Sequence, residues 1–123
     1  MLYAILCYDD ESAVGDWSKE EDDAVMGRLA CVMEPYETSG RLGPVARLVP
    51  TTAATTLRKG REELVLDGPF AETKEQLLGF FVVETDTLEE AIDFARELAN
   101  CKPTMGSYEI RPIAYHHAST WNR

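Results

Sequence analysis

Two runs of this chain, Leu2–Tyr8 (LYAILCY) and Leu77–Val83 (LLGFFVV), carry no charged residue, and they limit what the remainder can do. A strand with one face in water alternates apolar and polar side chains. These runs do not alternate, so each reads as a strand covered on both faces. Such strands belong in the middle of a sheet, which leaves the other segments to supply its edges and its covering helices.

Those segments do so in order. Ser18 followed by Glu21 forms a capping box, and Glu20 to Asp23 put negative charge where a helix N-terminus favours it. The helix that starts there has Val25, Leu29, Val32, Met33 and Tyr36 as one apolar stripe; Pro35 should kink or shorten its last turn and Gly40 should stop it. From Arg41 to Asp67 strands and turns are expected. Gly43-Pro44 and Pro50 are breaks, and Lys59-Gly60 is the turn of a hairpin between Thr55–Arg58 and Glu63–Asp67. After the second apolar run, Thr87 and Glu90 repeat the capping box, with Leu88, Ala91, Ile92, Ala95 and Leu98 as the buried stripe. Tyr108–Ile113 alternates, and Pro112 assigns it to an edge.

The order β-α-β-hairpin-β-α-β is an α+β, ferredoxin-like βαββαβ plan with an extra β-hairpin, in which the first and third strands of the basic unit are central. Those are the two uncharged runs. Both helices of such a unit pack on one face, so the other face of the central strands needs a cover. A partner sheet removing about 800 Å² per subunit from water would supply it.

With 123 residues the chain is expected to form a single domain over 1–123, with 115–123 as a C-terminal tail. A formal charge of −10, from 22 acidic and 12 basic residues without a clustered Lys/Arg face, argues against nucleic acid as a partner. Cys7, Cys31 and Cys101 are odd in number and widely spaced, which suggests neither a CxxC pair nor a disulfide framework and points to a reducing cytoplasm. No apolar stretch approaches the roughly 18 residues of a membrane span, and the first strand lacks the basic flank of an export signal. A cytoplasmic protein away from the membrane is expected.

Chemistry concentrates in Asp67–Phe81 (DGPFAETKEQLLGFF), which passes from a rigid turn through a charged bridge into the second apolar run. Pro69 fixes its own φ, Gly68 supplies backbone freedom, and the turn holds Phe70, Glu72 and Lys74 in defined places. Two readings stay open. Lys74 anchors an anionic ligand, with Glu72 as orienting partner or general base and Phe70 as an apolar wall; or Glu72 and Lys74 pair with each other or with backbone to hold a loop. Asp67 is a second candidate base, or it caps the turn by accepting from N–H groups two residues on. Arg58, together with Arg111, could bind a carboxylate if the fold brings both to one sheet end.

Other polar groups read as structural. Asp9, Asp10 and Glu11 lack the spacing of a metal loop and are expected to face water, and His116 and His117 are tail residues, so neither a metal nor a cofactor is expected. Cys7 has no basic neighbour to activate it. Tyr3 and Tyr8 fall on opposite faces of a regular strand.

DGPFAETKEQLLGFFVVE, preceded by TAATTLR and followed by a capped helix and YEIRPI, resembles the DGPF group of the YCII-related family, from the first strand to about Ala114. The resemblance implies a ferredoxin-like fold paired as a dimeric α+β barrel, hence a homodimer. Members of the group are often encoded beside, or fused to, extracytoplasmic-function sigma factors. Two functions follow from it. One is a small-molecule pocket in each subunit, between the sheet and its helices and gated by the DGPF loop, with acid-base chemistry on a small organic substrate. The other is a non-catalytic interaction or regulatory module whose acidic helix faces (Glu20 to Asp23; Glu89, Glu90, Asp93) dock a basic partner such as a sigma factor. Two departures bear on these. Leu78 precedes Gly79 where the group commonly has glycine twice, which could narrow the space beside the strand. No histidine precedes His116, so the histidine-aspartate dyad proposed in some relatives does not carry over, and whether the protein is an enzyme stays open.

Overall fold

The computed structural model describes residues 1–118; of the expected tail, residues 119–123 lie outside the described residues. The chain runs β1 (Leu2–Asp9), α1 (Glu11–Gly15), α2 (Lys19–Thr38), β2 (Leu42–Arg47), β3 (Thr55–Arg58), β4 (Leu64–Asp67), β5 (Gln76–Glu84), α3 (Leu88–Ala99) and β6 (Ser107–Pro112). Four strands form one antiparallel sheet in the order β2-β5-β1-β6, with the two uncharged runs at its centre, and the fold is ferredoxin-like.

Both long helices begin where their capping residues put them. The Ser18 hydroxyl accepts from Glu21 N–H at 3.1 Å and the Thr87 hydroxyl from Glu90 N–H at 3.2 Å. α2 runs on past Pro35 and ends in a Schellman motif: Gly40 has φ 72°, Gly40 N–H bonds Glu37 C=O at 3.1 Å, and Arg41 N–H bonds Tyr36 C=O at 2.8 Å. Gly43-Pro44 does not break the chain between elements but lies inside β2, where the pairing with β5 shifts register between Leu42 and Val45. The bulge accommodates the proline because the ladder to β5 is already interrupted there.

The acidic knot after β1 does not simply face water. Asp9 is buried and accepts from Thr104 Oγ at 2.6 Å and from Asp10 N–H at 2.7 Å. Asp10 is the N-cap of α1, accepting from Ser12 N–H at 2.9 Å, and the Glu11 carboxylate binds both the N–H and the hydroxyl of Thr51. Asp9 and Glu11 thus hold two different loops while Asp10 caps a helix, so the three adjacent carboxylates have separate partners.

The core lies between one sheet face and the helices. Tyr3, Ile5 and Cys7 of β1 and Phe81 and Val83 of β5 meet Ala91, Phe94, Ala95 and Leu98 of α3 and Val25 and Leu29 of α2. Phe94, absent from the expected stripe, is the largest fully buried side chain; Leu88, included in it, is 44% exposed. The opposite sheet face carries Ala4, Leu6, Tyr8, Phe80 and Val82, all half-buried, with Ala4 opposite Val82 and Leu6 opposite Phe80. Tyr3 and Tyr8 accordingly lie on opposite faces. The β3–β4 hairpin pairs only with itself, and Leu57, Val65 and Phe70, beyond β4, are each more than 60% exposed.

Candidate functional site

α3 fills its share of the sheet with four buried side chains, whereas α2, though longer, contributes only Val25 and Leu29. Between α2 and the β2–β5–β1 half of the sheet a cavity of about 240 Å³ remains. Leu29 and Val25 line it from the helix, Cys7, Gly79 and Phe81 from the sheet, and Trp17 from the turn before α2. Gly79 is required there. A Cβ at this position would stand 2.5 Å from the Ala46 carbonyl oxygen on β2, so only glycine lets the two strands approach this closely. Leu78, the departure noted in the sequence, lies in the wall between this cavity and a neighbouring one of about 310 Å³ beside Glu11 and Pro50.

Two cations and one anion reach the lining. Arg47 of β2 forms a bidentate pair with Asp22 of α2, at 2.8 and 3.1 Å, tying helix to edge strand across the cavity. The guanidinium holds the Asp22 carboxyl below the usual carboxylate range. Lys102, from the loop between α3 and β6, places its Nζ 5.8 Å from the centroid of the Tyr108 ring. Burial pushes the Cys7 thiol up to about 11 and raises the Tyr108 hydroxyl strongly. Neither is a nucleophile at neutral pH, as expected for Cys7.

The candidates read from the sequence lie elsewhere. Arg58, Asp67, Phe70, Glu72 and Lys74 are all exposed, and none lines the cavity. Arg58 reaches the Phe70 carbonyl at 3.5 Å, while Arg111 is on β6 beside Glu109, at 3.5 Å. Gly68, with φ 101°, closes the turn by donating to the Ala54 carbonyl at 2.7 Å, and its own carbonyl accepts from the Thr56 hydroxyl at 2.7 Å. Asp67 does not cap that turn among the described hydrogen bonds, since the residue two on is Pro69, which has no N–H. The charged bridge is anchored by Glu75, which accepts from Ser107 at 2.7 Å, and by Gln76, which accepts from Glu11 N–H at 3.0 Å; no ion pair joins Glu72 to Lys74. Sequence reading missed Trp17, Arg47 and Lys102, and took Asp22 as part of the acidic helix start rather than as an ion-pair partner in a cavity wall. A tryptophan directly before a helix cap and an arginine in a strand facing an acidic first turn were the available signals.

Among the described residues no three His, Cys, Asp or Glu side chains are grouped to hold a metal, and no helix is long and apolar enough to cross a membrane. Fold and cavity together define a ferredoxin-like α+β protein with an apolar recess under its first long helix. The model of the YCII-related domain matches residues 1–116, and the chain belongs to that family. It is similar to an uncharacterized protein of Rhizobium meliloti (strain 1021), 61% identical over 117 residues that make up 94% of each chain.

Proposed function

We propose that this YCII-related protein is a cytoplasmic homodimer that binds a small organic molecule in the α2 cavity of each subunit. The observation that carries the reading is the size of that recess in so small a fold. The recess is a cleft partly open to solvent and lined mostly by apolar side chains, and its volume of about 240 Å³ lies near the lower end of small-ligand clefts, about 300 Å³. A dry cavity of about 150 Å³ already accepts benzene, which puts a ring with a short substituent within range.

Support for the dimer comes from the half-buried apolar face of β1 and β5 and from the exposed hairpin, neither of which a single subunit covers. The DGPF loop belongs to that hairpin arm. Asp67 and Glu72, as bases, with Phe70, Lys74 and Arg58 as ligand contacts, would reach a cavity only through the subunit contact, so binding is better supported than acid-base catalysis. The alternative, a regulatory module docking a basic partner such as an extracytoplasmic-function sigma factor, rests on the acidic helix starts. Asp22, Asp23 and Asp93 are there already paired with Arg47, Lys19 and Arg96. Native mass spectrometry of untagged protein from its own host tests the choice. The expected result is a dimer carrying a reproducible small mass per subunit; a monomer, or a dimer stripped of any small mass and bound to a second protein, overturns it.

A further inference from the structure

The two cations of the cavity are not equivalent. Arg47 spends both terminal nitrogens on Asp22. Lys102 is half-buried, and among the described residues no carboxylate oxygen lies within 4 Å of its Nζ. The nearest buried carboxylate, Asp9, is turned toward the Thr104 hydroxyl and the Asp10 N–H. The one described partner of the Lys102 ammonium there is the face of the Tyr108 ring, which leaves its N–H donors without an acceptor among the described residues and available to an anion in the recess.

We propose that the cavity takes a compact apolar molecule with a single anionic head group, such as a carboxylate, seated on Lys102. This rests on the pocket reading above and adds the chemical class of the ligand. The Asp22 carboxylate stands at the Arg47 end and disfavours a second anion there, so the ligand is a monoanion with a fixed direction: head toward the α3–β6 loop, apolar body between α2 and β5. The charge of Lys102 is felt inside the recess, since it acts on the Cys7 thiol against the effect of burial. With a formal charge of −10 the long-range field of the protein repels anions, so an anion in the recess depends on local contacts such as this lysine.

The test titrates the full chain with para-fluorobenzoate and, separately, with its neutral counterpart para-fluorobenzyl alcohol, read by fluorine NMR. The methyl signals of Met26 and Met33, both in the cavity lining, report where each binds. The expected result is tighter binding of the benzoate, with both methionine signals shifted. Lys102→Gln should weaken the benzoate roughly tenfold, as loss of a charge-assisted hydrogen bond does, and leave the alcohol unchanged; Lys102→Arg should retain most of the benzoate affinity. If the alcohol binds as tightly as the benzoate, or Lys102→Gln leaves benzoate affinity unchanged, the anion proposal fails and the pocket reading stands. Should neither compound shift the methionine signals, both fail. A thermal melt of each variant confirms that a lost signal is not lost folding.

Discussion

Cys7 shows how position sets the chemistry of a side chain. Its thiol faces the cavity, yet burial pushes it up to about 11, so it is inert where a more exposed thiol would react. The same shift makes it a liability in alkali. Folding holds the thiol neutral, so its contribution is complete below the ordinary thiol pKa and is lost as pH rises through about 11. Urea unfolding at about pH 8 and about pH 10.5 should show a loss of stability, of which the thiol's share is about 2–3 kcal/mol at most; Cys7→Ala should remove that share and leave the part owed to Tyr108, which is raised in the same direction. An alkaline loss as large in Cys7→Ala as in the wild type would assign the effect elsewhere. At this scale the sequence was legible for the inertness of Cys7 but not for its basic neighbour Lys102, and it misled for Asp9, because a run of carboxylates reads as a wet surface until the loop carrying Thr104 is known to fold over it.

Among the elements, the long helices were legible because their capping boxes are local chemistry. α1 was not, since five residues contain too little of a period to show. In α3 the stripe was rotated by taking Ile92 in place of Phe94; Ala91, Phe94, Ala95 and Leu98 are the residues that meet the sheet. The cavity was invisible for a different reason. It is made by what fails to fill space, and its lining comes from α1, α2, three strands and two connecting segments, so no local pattern announces it. The DGPF stretch, dense in functional residue types within one turn, drew the sites to itself. One strand contact can be tested directly: Gly79→Ala would set a Cβ against the Ala46 carbonyl and force β5 from β2, costing roughly 1–3 kcal/mol in urea unfolding. An unchanged midpoint would mean that the two strands stand further apart than described.

For the whole molecule, the position of the two uncharged runs was readable because a central strand has no edge and no wet face to mark with polar residues. What covers their outer face was readable only as a need. Leu6 and Phe80, opposed across β1 and β5, are the centre of that face. Phe80→Asp places a charge there, and sedimentation equilibrium should show the mutant as a monomer at concentrations where the wild type is a dimer. A wild type that sediments as a monomer would remove the basis for the pairing, and a mutant that remains dimeric would move the contact to the hairpin.

Both outer strands of the sheet contain a proline, Pro44 at the bulge of β2 and Pro112 at the end of β6. The bulge bends one border and Pro112 ends the other, so neither offers a long regular edge to a strand from another molecule. Growth in the plane of the sheet, the route by which β-proteins form fibres, is obstructed on each side, while its broad apolar face stays open. The pairing proposed above, which would stack one such face on its copy, closes after two molecules.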